Sequence, residues 1–191
     1  MKLLEEKIRN EGRIYPGNIL KVDSFLNHQI DIQLLDQMAD EFYEAFKDKE
    51  INKILTIEAS GIAVACAVAR KLKVPVVFAK KSKSLNLGDD LYVSRVSSYT
   101  YGKEYDAIVS RRFLGADDKV LLIDDFLAIG NAMKGLVEIC SQAGASISRI
   151  GVCIEKAFQH GGDDLRQMGF EVTSLAAIES MSEDGTIVFK K

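Results

Sequence analysis

Two adjacent carboxylates, Asp124 and Asp125, follow the apolar residues 120–123 in the segment KVLLIDDFLAIGNA. This run is apolar enough for a strand that is buried on both faces, as in a parallel sheet. The acids are therefore predicted at the carboxyl end of the strand, where open α/β sheets bind ligands. A helix is predicted to begin near Asn131 or Ala132 and to end at Gly144, because apolar residues recur there at helical spacing. The short loop before this helix would direct backbone N–H groups at one point, an arrangement that binds phosphate.

Two carboxylates beside a bound phosphate would repel the ligand unless they met hydroxyl groups or a cation. We therefore expect a ligand that carries a ribose diol beyond its phosphate. We also expect Mg²⁺ to accompany the ligand near Asp124 and Asp125, because carboxylate and phosphate oxygens are its usual partners. The alternative is that the two acids are solvated residues that close a strand ahead of a helix cap.

The same stretch resembles the motif that binds 5-phosphoribosyl 1-diphosphate (PRPP) in the type I phosphoribosyltransferases: an apolar strand, two acids, a short loop and a helix. The resemblance implies that the two acids are catalytic and that PRPP is a co-substrate. It places the 5′-phosphate of PRPP on the loop Ala128, Ile129, Gly130, Asn131 and Ala132. Many members have threonine at the position of Ile129 and glycine at that of Asn131. Without the threonine hydroxyl, the phosphate would depend more on backbone N–H groups.

A second loop of small residues follows the strand that is predicted at residues 53–57. Its Ser60 and Gly61 precede another predicted helix, so this loop is a second candidate anion site, although an ordinary cap and turn is the alternative. In the resembled family the corresponding loop binds the diphosphate of PRPP. The next predicted strand ends in a run of lysines, of which either Lys80 or Lys81 is expected to neutralise a diphosphate.

A long polar segment, residues 84–105, is rich in serine, tyrosine and charged residues and shows no core periodicity. Such a segment inside a compact domain indicates either function or disorder. The resemblance implies a flexible flap over residues 80–106 that closes over the active site. It also implies that Arg95 or Lys103 reaches the diphosphate.

Strands and helices alternate from Lys53 onward, which predicts an α/β fold with a doubly wound, mainly parallel sheet flanked by helices. Ahead of them, a short helix is predicted to stop at Gly12, and a stronger helix is predicted at residues 31–48. The resemblance implies that residues 1–48 form a small hood over the base and that 1–191 is a single phosphoribosyltransferase domain. Further strands are predicted at residues 74–79, 150–154, 170–176 and 186–189.

The resemblance extends over the whole chain to the family of bacterial xanthine phosphoribosyltransferases, through IYPGNILKVDSFLNHQID, IEASGIAVA, SRRFL, IDDFLAIGNA and GVCIEKAFQHGG. By this match xanthine binds Leu20, Asn27 and Lys156, and ring stacking by Phe126 is a further hypothesis. An ammonium at Lys156 would donate to a 6-oxo oxygen and disfavour the 6-amino group of adenine. Asn27 is compatible with the 2-oxo group of xanthine or the 2-amino group of guanine. The family makes XMP from xanthine and PRPP in purine salvage, as a cytoplasmic homodimer.

One departure bears on the choice of base. The hypoxanthine-guanine branch carries an aspartate three residues after the second acid, often assigned to take the purine proton, and this chain has Ala128 there. Without that base a more acidic purine is the easier substrate, and xanthine is the most acidic of the common purines. A guanine or hypoxanthine transferase is the alternative enzyme.

An alternative from another class is a PRPP-sensing regulator on the same fold. Such a repressor needs a basic DNA-binding domain of several dozen residues, whereas short acidic-to-neutral helices precede Lys53. An RNA-binding attenuator on this fold is also disfavoured, because the sequence carries no signal of a basic surface on which RNA would bind.

Composition limits the remaining classes. The chain has 191 residues and a net charge of −3, which predict one domain and argue against a nucleic-acid-coating surface. The scattered Cys66, Cys140 and Cys153 fit a reducing cytosol. No apolar stretch approaches the roughly 20 residues of a membrane span. The first twelve residues carry acids within their apolar run, unlike a signal peptide. We therefore expect a soluble, cytoplasmic protein without nucleic-acid or membrane partners.

Overall fold

The structure of the protein, a computed structural model, describes residues 1–82, 90–97 and 104–190. The elements ahead of the main sheet are α1 (Lys2–Glu11), β1 (Arg13–Tyr15), β2 (Ile19–Lys21), a π-helical segment (Asp23–Asn27) and α2 (Ile32–Phe46). Strands β1 and β2 form an antiparallel hairpin. The side chain of Asp31 accepts a hydrogen bond from the Leu34 N–H at 3.1 Å, which caps α2 as its predicted start at residue 31 requires.

The elements that follow are β3 (Lys53–Ile57), α3 (Ser60–Leu72), β4 (Val76–Ala79), β5 (Leu91–Ser97), β6 (Glu104–Ser110), β7 (Lys119–Leu127), α4 (Asn131–Ala143), β8 (Ser146–Lys156), α5 (Gly161–Gln167), β9 (Val172–Met181) and β10 (Ile187–Phe189). Within the described residues, six strands form a sheet of order β10-β9-β8-β7-β3-β4. Neighbouring strands are parallel except β10, which is antiparallel to β9. The predicted mainly parallel α/β sheet is therefore confirmed.

The central strand β7 is covered on both faces, because successive strand side chains point to opposite sides of a sheet. Leu121 and Ile123 belong to the core cluster that contains residues of α1, α2 and α3. Leu122 belongs to the cluster formed with α4 and the β5–β6 hairpin. A Cβ atom at Gly151 of β8 would lie 2.8 Å from Ile123 Cδ1 and 3.0 Å from Phe42 Cε1, so α2 packs directly on the sheet.

The polar segment predicted to lack core periodicity contains a strand, and that prediction is wrong for β5. Strands β5 and β6 pair as an antiparallel hairpin, and Tyr92, Ser94 and Val96 alternate as buried residues. Ser94 Oγ donates to Glu138 of α4 at 2.6 Å. A polar residue therefore occupies an inward position of the strand, where an apolar residue would have made the alternating strand pattern visible in the sequence. The other residues of the predicted flap, 83–89 and 98–103 with Lys103, lie outside the described residues.

Strand β7 extends beyond the predicted residues 120–123 and includes both acids. Its pairing with β8 continues to Leu127, which is opposite Glu155. Parallel pairing uses backbone groups, so it continues past polar side chains that end the apolar pattern. Strand β9 likewise continues to Met181, past the predicted residue 176. No helix in the described part of the chain is long and apolar enough to cross a membrane.

We expect Phe42→Ala to lower the free energy of unfolding by about 3–5 kcal/mol, because it leaves a cavity between α2 and the sheet. Phe42 is fully buried, and its ring stacks on that of Phe46 with centroids 5.8 Å apart. Urea unfolding followed by circular dichroism provides the measurement. The half-exposed Phe113→Ala is the matched control, with an expected loss below about 1 kcal/mol. Equal losses for the two variants would contradict this account of the core.

Candidate active site

The two acids are consecutive residues of β7 and leave the strand on opposite sides. Asp124 is 6% exposed and Asp125 7% exposed. One carboxylate oxygen of Asp124 accepts a hydrogen bond from the backbone N–H of Asp125 at 3.0 Å. The amide nitrogen of Asn27, the last residue of the π-helical segment, lies 3.5 Å from an oxygen of Asp125 as a long hydrogen bond. The hood is thus in contact with the acids.

The electrostatics of this pair are unfavourable. Burial, followed by the charge of Asp125, holds the pKa of Asp124 well above its ordinary value, and Lys81 opposes the shift. Burial and the Asp124 charge also raise the pKa of Tyr105. Within the described residues, no basic side chain forms an ion pair with either acid. A ligand that brings hydroxyl groups or a cation would relieve this cost.

A cavity of about 230 Å³ opens beside the acids. It is lined by the whole predicted phosphate loop: Ala128, Ile129, Gly130, Asn131 and Ala132. Gly130 has φ +88°, which glycine adopts readily, and α4 begins at Asn131 as predicted. The N–H groups of the first turn of α4 have no partners within the helix, so they are available to an anion in this cavity. The Asn131 side chain donates to the carbonyl of Ser97 at 3.0 Å, which ties the loop to β5.

The loop after β3 also reaches the acids. A Cβ atom at Gly61 would lie 2.3 Å from Thr56 Oγ1 and 2.8 Å from Asp124 Oδ1, so only glycine fits against Asp124. Ser60 is the first residue of α3, and the N-cap position belongs to Ala59. Ser60 therefore takes the first helical position and not the N-cap position, and an ordinary turn stays the alternative for this loop. Diphosphate binding by this loop stays a prediction.

The structure separates the two candidate lysines. Lys81 lines the cavity with the acids, and its Nζ lies 5.2 Å from the centroid of the Tyr105 ring. Its backbone N–H donates to the Glu58 carboxylate at 2.5 Å. Lys80 forms a β-bridge with Ile108 and lines a different cavity, of about 450 Å³, at the β4 edge of the sheet. Of the two predicted candidates, Lys81 is therefore the one beside the acids.

Of the four predicted base-binding residues, Asn27 contacts Asp125 and Phe126 follows Asp125 in β7. Lys156 ends β8, and its Nζ donates to the Asn18 carbonyl at 2.8 Å and lies 5.7 Å from the centroid of the Phe126 ring. Burial lowers the pKa of Lys156. Phe126 also lines the 230 Å³ cavity, whereas Lys156 and Asn27 do not. Leu20 is buried in the core of the hood, where it packs with α1 and α2.

Several polar residues near the site escaped the sequence analysis. The hydroxyl of Thr56 is buried and has no hydrogen-bond partner in the described part of the chain. Glu155 is 2% exposed and accepts hydrogen bonds from Arg166 at 2.9 and 2.8 Å. The sequence did offer a signal for Thr56 and Glu155, namely a polar residue inside an apolar strand run, as in KILTI and GVCIEK. Because a buried polar group needs a partner, such a residue indicates a specific polar contact. Tyr105 carried no such signal, since it lies in the polar segment.

The carboxylates suit Mg²⁺ only in part. Their oxygens are the ligand type that this cation prefers, and the pKa of Asp124 stays raised although Lys81 opposes the shift. Among the described residues, no three His, Cys, Asp or Glu side chains converge as a metal-binding group. The acids therefore fit a cation whose other ligands come from substrate phosphates and water, not a cage made by protein alone.

The comparisons with known proteins agree with this fold. A family model for the phosphoribosyl transferase domain matches residues 21–175, and the chain therefore belongs to the phosphoribosyltransferase family. The structure of APRTase from Giardia lamblia complexed with 9-deazaadenine has a TM-score of 0.77 at 25% identity, covering 91% of this chain and 97% of that one.

Relatives that match over their full length are more similar. The xanthine phosphoribosyltransferase of Bifidobacterium adolescentis is 57% identical, covering 100% of both chains. That of Finegoldia magna is 54% identical, covering 98% of both. The family resemblance read from the sequence is confirmed.

We expect the free energy of unfolding of Asp124→Asn, relative to that of the unsubstituted protein, to rise as the pH rises. The raised pKa of Asp124 means that the folded state binds this proton more tightly than the unfolded state. That contribution is present at low pH and is lost as the pH rises from the ordinary aspartate value through the raised one. Asparagine keeps an acceptor oxygen and removes the charge, so the variant should become more stable relative to the unsubstituted protein between pH 5 and pH 8.

Urea unfolding at both pH values measures this difference. The exposed Asp48→Asn serves as the control for losing a surface carboxylate. A difference that is the same at both pH values would contradict the buried, uncompensated charge of Asp124.

Proposed function

We propose that the chain is a xanthine phosphoribosyltransferase, a pentosyltransferase that moves the 5-phosphoribosyl group of PRPP to N9 of xanthine, giving XMP and diphosphate in purine salvage. The name that the full-length relatives carry supports the choice of base. The observation that carries the reaction is the cavity in which two buried acids adjoin a phosphate-type loop at a helix N-terminus.

The cavity accounts for the sugar half of PRPP. In this proposal the backbone N–H groups of the loop after β7 bind the 5′-phosphate. Asp124 and Asp125 accept hydrogen bonds from the 2′- and 3′-hydroxyls of the ribose, because ionised carboxylates are acceptors only. Those hydroxyls stabilise the charge on Asp124, which accepts a hydrogen bond from the Asp125 N–H but has no ion-pair partner among the described residues.

The diphosphate half extends toward the loop after β3 and Lys81. Ser60 and Gly61 begin α3, and their backbone N–H groups precede the first hydrogen bond of this turn, from the Ile62 N–H to the Ala59 carbonyl, so these two are open to an anion. The Lys81 ammonium stands at the same cavity and neutralises part of the diphosphate charge. Mg²⁺ bound with PRPP near Asp124 and Asp125 would supply further positive charge to the leaving group.

In the reaction the bond from C1 of the ribose to the diphosphate oxygen breaks, and its electron pair leaves with the diphosphate. A lone pair of N9 forms the new bond to C1. Positive charge develops on the ribose ring, and the two acids stabilise it through the ribose hydroxyls. Ala128 offers no side chain to take the purine proton, so xanthine loses this proton to solvent.

Lys156 and Asn27 select the base in this proposal. The ammonium of Lys156 carries three donors, of which one binds the Asn18 carbonyl, so the others are available to the 6-oxo oxygen. Asn27 contacts the 2-position while it holds Asp125. The Phe126 ring, close to Lys156, stacks on the purine, and Leu20 supports the hood from its core.

The homodimer that the resemblance implies stays a prediction, as does a cytoplasmic location. The cysteines Cys66, Cys140 and Cys153 are all free thiols, as proteins in a reducing compartment have.

The decisive experiment measures diphosphate release with PRPP and Mg²⁺ and with xanthine, guanine, hypoxanthine or adenine offered separately. We expect kcat/KM for xanthine to exceed that for guanine and hypoxanthine by about tenfold, and that for adenine by about a hundredfold or more. A preference for guanine or hypoxanthine would support the alternative transferase. PRPP binding without consumption of any base would support the regulator.

Lys156→Ala should raise the KM for xanthine by about a hundredfold and that for PRPP by about twofold or less, because it removes a donor to the base alone. The matched control is Lys49→Ala, an exposed lysine ahead of the amino end of β3, which should change neither constant. Equal increases in the two KM values would reject a base-binding role for Lys156.

A further inference from the structure

The predicted phosphate loop, residues 128–132, packs against the turn at Gly161, which has no assigned contact with substrate. The backbone N–H of Gly161, the first residue of α5, donates to the Ala128 carbonyl at 3.1 Å. A Cβ atom at Gly161 would lie 2.3 Å from that carbonyl oxygen, 2.5 Å from Ile129 C and 2.7 Å from Gly130 N. All three are backbone atoms of the loop, so no side chain is able to move aside.

The contact is equally close from the other direction. A Cβ atom at Gly130 would lie 3.3 Å from the Gly161 Cα atom and 3.4 Å from its carbonyl oxygen. The two backbones therefore meet with nothing but hydrogen atoms between them. Such an approach is one of the few reasons for which a protein requires glycine.

The turn at Gly161 cannot move away from the loop, because the residue after it is packed on its other side. A Cβ atom at Gly162 would lie 2.0 Å from Glu155 Oε1 and 2.7 Å from Arg166 Nη1, so Gly162 packs against the ion pair that Arg166 forms with the buried Glu155. Glu155 also accepts a hydrogen bond from Ser174. Burial raises the pKa of Glu155, but the hydrogen bonds from Arg166 and Ser174 outweigh it and hold the pKa below the ordinary value.

A second tie joins α5 to the helix that follows the loop. Lys134 Nζ of α4 lies 2.7 Å from an Asp164 oxygen of α5. Helix α5 is thus fixed to β8 through Glu155 and Arg166 and to α4 through Lys134 and Asp164. The loop between β7 and α4 lies against the first residue of this fixed helix.

We propose that Gly161 is a positioning residue for the 5′-phosphate: its backbone, fixed by the Glu155–Arg166 pair, sets the direction of the loop N–H groups. The inference rests on the proposed function, because it assumes that this loop binds the phosphate of PRPP. A methyl group at Gly161 would have to displace the loop by about 1 Å to reach ordinary contact distance, which is enough to weaken hydrogen bonds from the loop N–H groups to a phosphate.

The test measures the affinities of ribose 5-phosphate and of inorganic diphosphate with Mg²⁺ for Gly161→Ala by calorimetry. We expect the dissociation constant of ribose 5-phosphate and the KM of PRPP to rise by about tenfold or more, with the diphosphate affinity and the KM of xanthine within about twofold. Gly115→Ala is the matched control, because a Cβ atom there meets nothing within 4 Å and its φ is not positive, and it should change none of these values.

The outcomes separate the two proposals. Failure of the unsubstituted protein to bind ribose 5-phosphate would overturn the proposed function. Normal binding by that protein and unchanged binding by Gly161→Ala, or equal losses for ribose 5-phosphate and diphosphate, would overturn the role of Gly161.

A second variant decides the matter if Gly161→Ala does not fold by circular dichroism. Arg166→Lys keeps the charge and loses the two-fold hydrogen bonding to Glu155. Its side chain is 39% exposed. We expect a loss of ribose 5-phosphate affinity of about threefold or more, with diphosphate affinity retained. Unchanged ribose 5-phosphate affinity would reject the positioning role.

Discussion

Two carboxylates are buried side by side on the central strand, and burying two neighbouring charges is unfavourable. The rest of the site depends on how this free-energy cost is offset. Asp124 has a raised pKa, and within the described residues neither acid has an ion-pair partner. The protein retains them because β7 is paired on both edges and packed on both faces, so the local cost is covered by a large apolar core. What would relieve the cost is a ligand with hydroxyl groups and a cation. The site is thus favourable to a ribose before any specific contact is considered.

Under the proposed function, the N–H groups that bind the phosphate belong to the backbone, and the elements packed around a backbone segment set the direction of its N–H groups. With Ile129 in place of a threonine, the cradle lacks one hydroxyl that the motif often provides. If the proposal for Gly161 holds, the direction of the loop N–H groups depends on Gly130 at positive φ and on the close backbone contact with Gly161. A cradle that binds mainly through the main chain needs support from elements with which the ligand makes no contact, here the turn before α5 and the Glu155–Arg166 pair.

Much of the fold follows from local signals. Strand β3 lies at the predicted residues 53–57, and α4 begins at Asn131 and ends before Gly144, because apolar runs and capping glycines act over a few residues. Strand β5 was missed because Ser94 takes an inward position that only its partner on α4 explains. The choice between Lys80 and Lys81 depended on a β-bridge to Ile108, a contact distant in sequence. These two tertiary contacts leave no recognisable pattern in the sequence, whereas the motif that contains Asp124 and Asp125 does.

The base and the phosphate halves of the site belong to neighbouring parallel strands. Phe126 of β7 is opposite Ile154 of β8, and Leu127 is opposite Glu155, immediately before Lys156. The phosphate loop starts one residue after Leu127. Under the proposed function, the distance between the purine and the ribose is therefore determined by one pair of hydrogen-bonded strands in the middle of a sheet, which is among the most rigid parts of a fold. Under the same proposal, this rigidity helps to hold N9 and C1 in line for a reaction that needs no covalent enzyme step.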